Sequence, residues 1–356
     1  TVEGAGVQGV RRKSVPTGVS PEDFFSESDR VRERFAALVG GEPSRVAIIP
    51  AVSYGVATVA KNLRLSPGQT LIVAAGQFPS HVYGWQRLAA EHGAELRAIN
   101  APPDHPERGH AWNEAILSAI NASTALVALP HVHWSDGTRF DLAAIGARAR
   151  EVGAALVVDA TQSLGALPFD VAALQPDALL AAGYKTLMGP YGLGFAHYGP
   201  RFDGGVPLEE SWLARAGAED FSALADYSAL YARGAVRYDM GERCNFILLP
   251  MVLAALEQLL VWQPERVQDY CQSLVRPVVD ELRALGYWLE DEAWRASHLF
   301  GLRPSPGTSL ERLGERLMHH RVVISVRGDA MRVSPNVYND EADLAALVAA
   351  LREARG

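Results

Sequence analysis

The sequence predicts an α/β fold: a mainly parallel central sheet flanked by helices, with a smaller C-terminal α/β domain. Three observations carry this. Short apolar runs alternate with helical patterns through the first half of the chain, the pattern of βαβ units. That rhythm breaks after Gly194 into a long irregular stretch, and two-strand, one-helix patterning returns only near the end. A chain of 356 residues also exceeds the usual single core of ~100 to 150 residues, so two domains are expected.

The elements follow in order. Ser20 and Pro21 open an amphipathic helix that carries Phe24, Phe25, Val31, Phe35 and Leu38 and stops at Gly40 and Gly41. Strands are expected at 46–49, 71–73, 96–99, 125–129 and 155–158, and the stretch 178–182 is apolar. Between the strands, helices start at Ser53, Ser80, Asn113 and Asp141. A Pro-rich connector spans 101–106. The run 248–285 reads as long helices interrupted near Gln263 and Pro264; strands at 322–326 and 330–334 and a helix capped by Asn339 close the chain. These boundaries suggest a large domain over 20–245 and a small one over 246–356, joined by 1–19.

Composition excludes several classes. The 33 basic residues face 41 acidic ones, a net charge of −8, so no basic surplus waits for a nucleic acid. The most apolar run, Phe246 to Trp262, is short and contains Glu257 and Gln258, which marks a buried helix and not a membrane span. Cys244 and Cys271 stand alone without a CxxC, which fits a reducing cytoplasm and removes a thiolate zinc site. His131, His133 and Asp136, and the pair His319 and His320, lack further ligands at metal-binding spacing, so no metal is expected. Gly4, Gly6 and Gly9 spell GxGxxG, but no strand can precede them, which argues against a dinucleotide site.

The basic residues comprise 30 Arg and only Lys13, Lys61 and Lys185. Arg cannot form a Schiff base, so a lysine kept in the apolar, glycine-rich AAGYKTLMGPYGLG is a candidate for amine chemistry. Asp159 ends a Val-Val strand, where a carboxylate needs a cationic partner such as a ring nitrogen. Val52 and Ser53, at the start of a helix, offer N–H groups and a hydroxyl to a phosphate. Phe78 adds an aromatic face. Together these meet the demands of pyridoxal phosphate. Arg327 and Arg332, around the terminal strands, suit an amino acid's carboxylate.

The stretch VVDATQSLGALPFDVAALQPDALLAAGYKTLMGPYGLG resembles the class V aminotransferases among the fold-type I pyridoxal phosphate enzymes, and the resemblance runs from about Val46 to Tyr338. It implies Lys185 as the aldimine lysine and proton carrier, Asp159 as the pyridinium partner, Gln162 as donor to the phenolic oxygen, and Tyr184 at the phosphate. AVSYG at 51–55 is similar to the family's phosphate turn, with Val52 in place of a hydroxyl residue and Ser53 left to supply the side-chain contact. The FPS at 78–80 resembles kynureninase, which stacks Phe on the cofactor. RYDMGERCNF at 237–246 resembles the segment that reaches a neighbouring subunit's phosphate, with Cys244 and Asn245 at the matching positions, and so implies a homodimer with shared sites. MRVSPNVYN at 331–339 makes Arg332 the expected carboxylate clamp.

The departures are informative. Cysteine desulfurases carry a nucleophilic Cys before this Arg, and VVISVRGDAMRVSP contains none. The family's Asn beside the cofactor is replaced by Trp134 in HVHWSDGT, which narrows the site and brings Trp134 into contact with cofactor and substrate. The chain opens at Thr1 without Met, and the family's N-terminal substrate segment is expected upstream. The resemblance thus implies an enzyme acting on an amino acid or derivative, with transamination the natural expectation and carbon-sulfur lyase, kynureninase-like hydrolase or epimerase chemistry the alternatives. A non-catalytic binding module is a further alternative, opposed by the intact Lys185, Asp159 and Gln162.

Overall fold

A computed structural model describes residues 1–355 apart from 103–104, 305–307 and 329. Part of the 101–106 connector therefore lies outside the described residues. The chain runs α1 (Val2–Lys13), α2 (Asp23–Val39), β1 (Val46–Ile49), α3 (Val52–Asn62), β2 (Thr70–Ala74), α4 (Tyr83–His92), β3 (Glu95–Ile99), α5 (Arg108–Ala119), β4 (Thr124–Pro130), α6 (Leu142–Glu151), β5 (Ala155–Asp159), α7 (Val171–Leu174), β6 (Ala178–Ala182) and β7 (Gly194–Tyr198). After an irregular stretch come α8 (Leu248–Trp262), α9 (Pro264–Ala284), β8 (Trp288–Leu289), β9 (Phe300–Arg303), α10 (Leu310–His319), β10 (Ser325–Arg327), β11 (Ala330–Val333) and α11 (Glu341–Arg355).

The first seven strands form one sheet in the order β1-β7-β6-β5-β4-β2-β3. Strands β6, β5, β4, β2 and β3 pair in parallel, while β7 runs antiparallel to both β6 and β1. Along β1 the side chains alternate between two cores. Val46 and Ile48 join the core under α2, α5, α6 and α8; Ala47 and Ile49 join the one under α3 and α4. Burial on both faces explains why these strands are continuous apolar runs.

Several expectations move. Strand β7 lies where an irregular stretch is expected: an antiparallel neighbour needs no crossover helix, so the alternation that reveals the other strands is missing. Helix α5 begins at Arg108 instead of Asn113, whose carboxamide donates to the Gly109 and Arg139 carbonyls from inside the helix. The strand expected at 322–326 shortens to β10, because Arg321 turns at φ 57° and the Val322 N–H closes the end of α10 on Leu317 O. The cap of α11 is Asp340, whose carboxylate accepts from the Ala342 and Asp343 N–H groups, rather than Asn339.

The domain boundary moves as well. Leu249, Val252, Leu253, Leu256 and Leu259 of α8 belong to the core of the large sheet, and α1 packs on α8; the small core begins with Leu274 and Val275 of α9. Beyond Gln263 the chain enters α9, whose Val267 and Cys271 meet Ala166 before Leu274 joins the small core. Two of the GxGxxG glycines, Gly6 and Gly9, serve the contact of α1 with α8: a Cβ at Gly9 would stand 2.5 Å from the Phe246 carbonyl.

Candidate active site

The parallel strands end in a cleft, where open α/β sheets place their ligands. Val52, Ser53, Phe78, Trp134, Asp159, Gln162, Tyr184 and Lys185 all line it. Residues scattered over more than a hundred positions thus meet at one place.

Each is positioned by its element. Asp159 is the last residue of β5 and only 7% exposed; its Oδ1 accepts from the Thr161 N–H at 2.9 Å, and among the described residues no donor takes Oδ2. Thr161 ties this turn to β6 by accepting from the Ala182 N–H at 3.0 Å. Lys185 follows β6 in a tight loop, where Gly183 donates to Leu193 O and Met188 donates to Lys185 O. Its ammonium has no ion pair among the described residues. Burial holds its pKa below the ordinary lysine value, Arg332 pushes the same way, Asp159 pulls against them, and Arg327 adds to the lowering. Tyr184 stacks on Tyr191 with centroids 3.9 Å apart, and burial raises its phenol.

Helix α3 points its N-terminus at the cleft. It has no side-chain cap and no acid in its first turn, so the N–H groups of Val52 and Ser53 and the helix dipole remain available to an anion. Opposite, Phe78 and Trp134 meet edge to face at 5.5 Å, and Trp134 Nε1 donates to Gly76 O at 2.7 Å. Gln162 is steadied from behind, because its carbonyl accepts from His298 Nε2 at 2.6 Å.

The small domain contributes two arginines. Arg332 Nη1 donates to Trp134 O at 3.0 Å, and the Arg327 guanidinium lies 5.8 Å from the Trp134 ring centroid. Cys244 and Asn245 are not brought to the cleft of their own chain. Cys244 is buried against Phe25, Leu213 and Ala218, and Asn245 Oδ1 accepts from the Ile247 and Leu248 N–H groups at the start of α8.

Sequence reasoning assigned no role to Gln77 and Ser80, which also line the cleft. Gln77 precedes the FPS motif and Ser80 closes it on the loop after β2, and their place beyond a strand's C-terminal end was the available signal. His131 and His133 are core residues. His131 Nδ1 pairs with Ser163 Oγ, and burial drives its pKa down to about 3. Burial opposes ionisation of Asp136, yet His133, Arg108 and Arg303 hold it well below the carboxylate range.

A family model for class V aminotransferases matches residues 19–206, more than half of the chain and all of the cleft outside the small domain. The chain belongs to the class V aminotransferase family. These are pyridoxal phosphate enzymes, and the cleft suits that group on its own features: an unpaired buried-edge lysine, a carboxylate with one oxygen unclaimed, and an uncapped helix N-terminus.

Relatives of this class V chain include an uncharacterized aminotransferase, YcbU, of Bacillus subtilis (strain 168), 26% identical over 92% of this chain and 84% of its own. Isopenicillin N epimerase of Amycolatopsis lactamdurans is 26% identical, covering 94% of this chain and 87% of its own. Among solved structures, the cystine C-S lyase C-DES bound to cysteine persulfide superposes with a TM-score of 0.84 at 20% identity, over 99% of this chain and 93% of that one. That likeness concerns the fold.

Proposed function

We propose that this class V enzyme is an aminotransferase acting on a small amino acid, with Lys185 as its proton-carrying base. One observation carries the reading: among the described residues that line the cleft, Lys185 is the only amine, and no thiol or imidazole joins it. Moving a proton between two carbons on one face of a planar system requires one base, whereas inversion calls for a second group on the other face. Desulfuration calls for a thiol, and both cysteines are buried with their pKa values raised by that burial, Cys271 to about 11.

In this reading the Val52 and Ser53 N–H groups and the Ser53 hydroxyl hold the cofactor phosphate, with Tyr184 beside them. Asp159 would partner the ring nitrogen and favour its protonated form, Gln162 would donate to the phenolic oxygen, and Phe78 and Trp134 would supply aromatic contacts to the ring. Bound pyridoxal phosphate supplies an aldehyde that captures amines and a ring that accepts the electrons released at the α-carbon. Burial and Arg332 make the Lys185 amine less basic, which favours the neutral form that can take a proton. Arg332 clamps the substrate carboxylate, and Arg327 adds positive charge beside it. Cys244 and Asn245 lie outside their own cleft, which suits a homodimer in which they approach the partner's phosphate. The unpaired cysteines support a cytoplasmic setting.

The test begins with the visible spectrum of wild type and Lys185→Ala given pyridoxal phosphate. Wild type is expected to show a pH-sensitive band that borohydride fixes to Lys185, and the variant to lack it. Amino and keto acids with mass detection then follow the amino group. Movement of the group to an acceptor supports transamination; inversion, sulfur release or hydrolytic cleavage without it would replace the reading by the corresponding alternative. A wild type without the band, with cofactor in excess, would end it.

A further inference from the structure

The β10–β11 hairpin presents two arginines where one suffices for an amino acid's α-carboxylate. Ser325 pairs directly with Arg332, and Arg327 lies two residues beyond Ser325, so alternation puts Arg327 and Arg332 on one face of the hairpin as diagonal neighbours. Such neighbours are roughly 7 to 8 Å apart, and like charges in that relation repel. Among the described residues neither guanidinium has a carboxylate partner, and Arg332 Nε is buried without an acceptor. Their contacts are to Trp134 instead, Arg332 through its carbonyl and Arg327 across its ring. Trp134 lines the cleft with Lys185, so both arginines flank that cleft through Trp134, and the charges of both reach Lys185. The cofactor's phosphate does not account for them, because the uncapped start of α3 already serves an anion there.

We propose that the substrate carries two anionic groups, its α-carboxylate held by Arg332 and a second oxyanion at the end of its side chain held by Arg327, making it an acidic amino acid. This rests on the reading of the cleft as an amino-acid site. Arg332 is the inner clamp, anchored to the Trp134 backbone. Arg327, over the Trp134 ring, meets a group that has passed along the indole.

Calorimetric titration of the holoenzyme with succinate, glutarate and adipate, each against the monocarboxylate of equal chain length, tests this without turnover. At least one diacid is expected to bind about tenfold or more tightly than its monoacid, since a charge-assisted pair is gained. Arg327→Met should remove that preference and leave monoacid binding in place; Arg327→Lys should keep part of it. Diacids that bind no better than monoacids in wild type would overturn the proposal, whatever the variants do, as would a preference that survives Arg327→Met. The visible spectrum of the same samples reports cofactor loading separately. A missing cofactor band sinks the function, while a normal band without diacid preference sinks only the substrate class.

Discussion

The chemistry of Lys185 is set by its neighbours more than by its own position. Burial and Arg332 favour the neutral amine, while Asp159 favours the ammonium. Two substitutions should thus move it in opposite directions. Arg332→Met removes a cation and raises the Lys185 pKa; Asp159→Asn removes an anion and lowers it. The pH dependence of Lys185 acylation in cofactor-free protein, followed by peptide mass spectrometry, reads both, with the exposed Lys61 as internal reference. Shifts of the same sign, or none, would show that the two charges do not govern the amine. Trp134 is the other residue that defines the site, and it is held at three points: Gly76 O, the Phe78 edge and Arg332. Trp134→Asn is expected to widen the cleft and raise kcat/KM for bulky amino donors relative to small ones, measured across a series of side-chain sizes.

Among the elements, α1 shows how spacing can mislead. Its glycines match a dinucleotide fingerprint, yet two of them let one helix lie close on another. A methyl at Gly6 would meet the flexible Met251 side chain at 2.8 Å, whereas at Gly9 it would meet the Phe246 carbonyl at 2.5 Å and Ile247 Cα at 2.9 Å. Side chains yield and backbone does not. Gly6→Ala is therefore expected to be near neutral, its clash offset by the ~1 kcal/mol helix preference for Ala over Gly. Gly9→Ala should destabilise by about 1 to 3 kcal/mol, the usual range for overpacking, despite the same preference. Urea midpoints of the two variants decide the matter, and equal midpoints would refute the distinction.

At the scale of the whole molecule, the loop 133–139 joins the two cores. Gly137 and Arg139 exchange backbone hydrogen bonds with Ala296 and Trp294, and Asp136 pairs with Arg303 of β9 as well as Arg108 of α5. A Cβ at Gly137 would fall 2.0 Å from Leu299 O, so the approach is close enough to require glycine. This docking sets where Trp134 meets the small-domain arginines. Titration of the interior acts on the fold as a unit. Burial lowers the pKa of His131 from 6.5 to about 3 and of His197 and His298 to about 4. Each stays neutral in the folded chain while the unfolded chain takes up a proton, so stability is full above 6.5 and is lost as pH falls through the folded values. The thermal midpoint should drop steadily from pH 6.5 toward pH 4; replacing His131 by an apolar residue of similar size should flatten that slope, measured by calorimetry.

Strand and helix order along the parallel half, and the residue types of Lys185, Asp159, Gln162, Val52 and Ser53 that meet in the cleft, were legible in the sequence. They depend on local periodicity and on residue types whose chemistry is their own. The strand β7, the handover between cores along α9 and the contacts of Cys244 were not legible, because each depends on what packs against it. So too with Arg327 and Arg332: their side chains mark them as anion binders, but 30 arginines share that property. Only the hairpin register and the docking of the two cores put both beside Trp134, and only there does their charge acquire a direction.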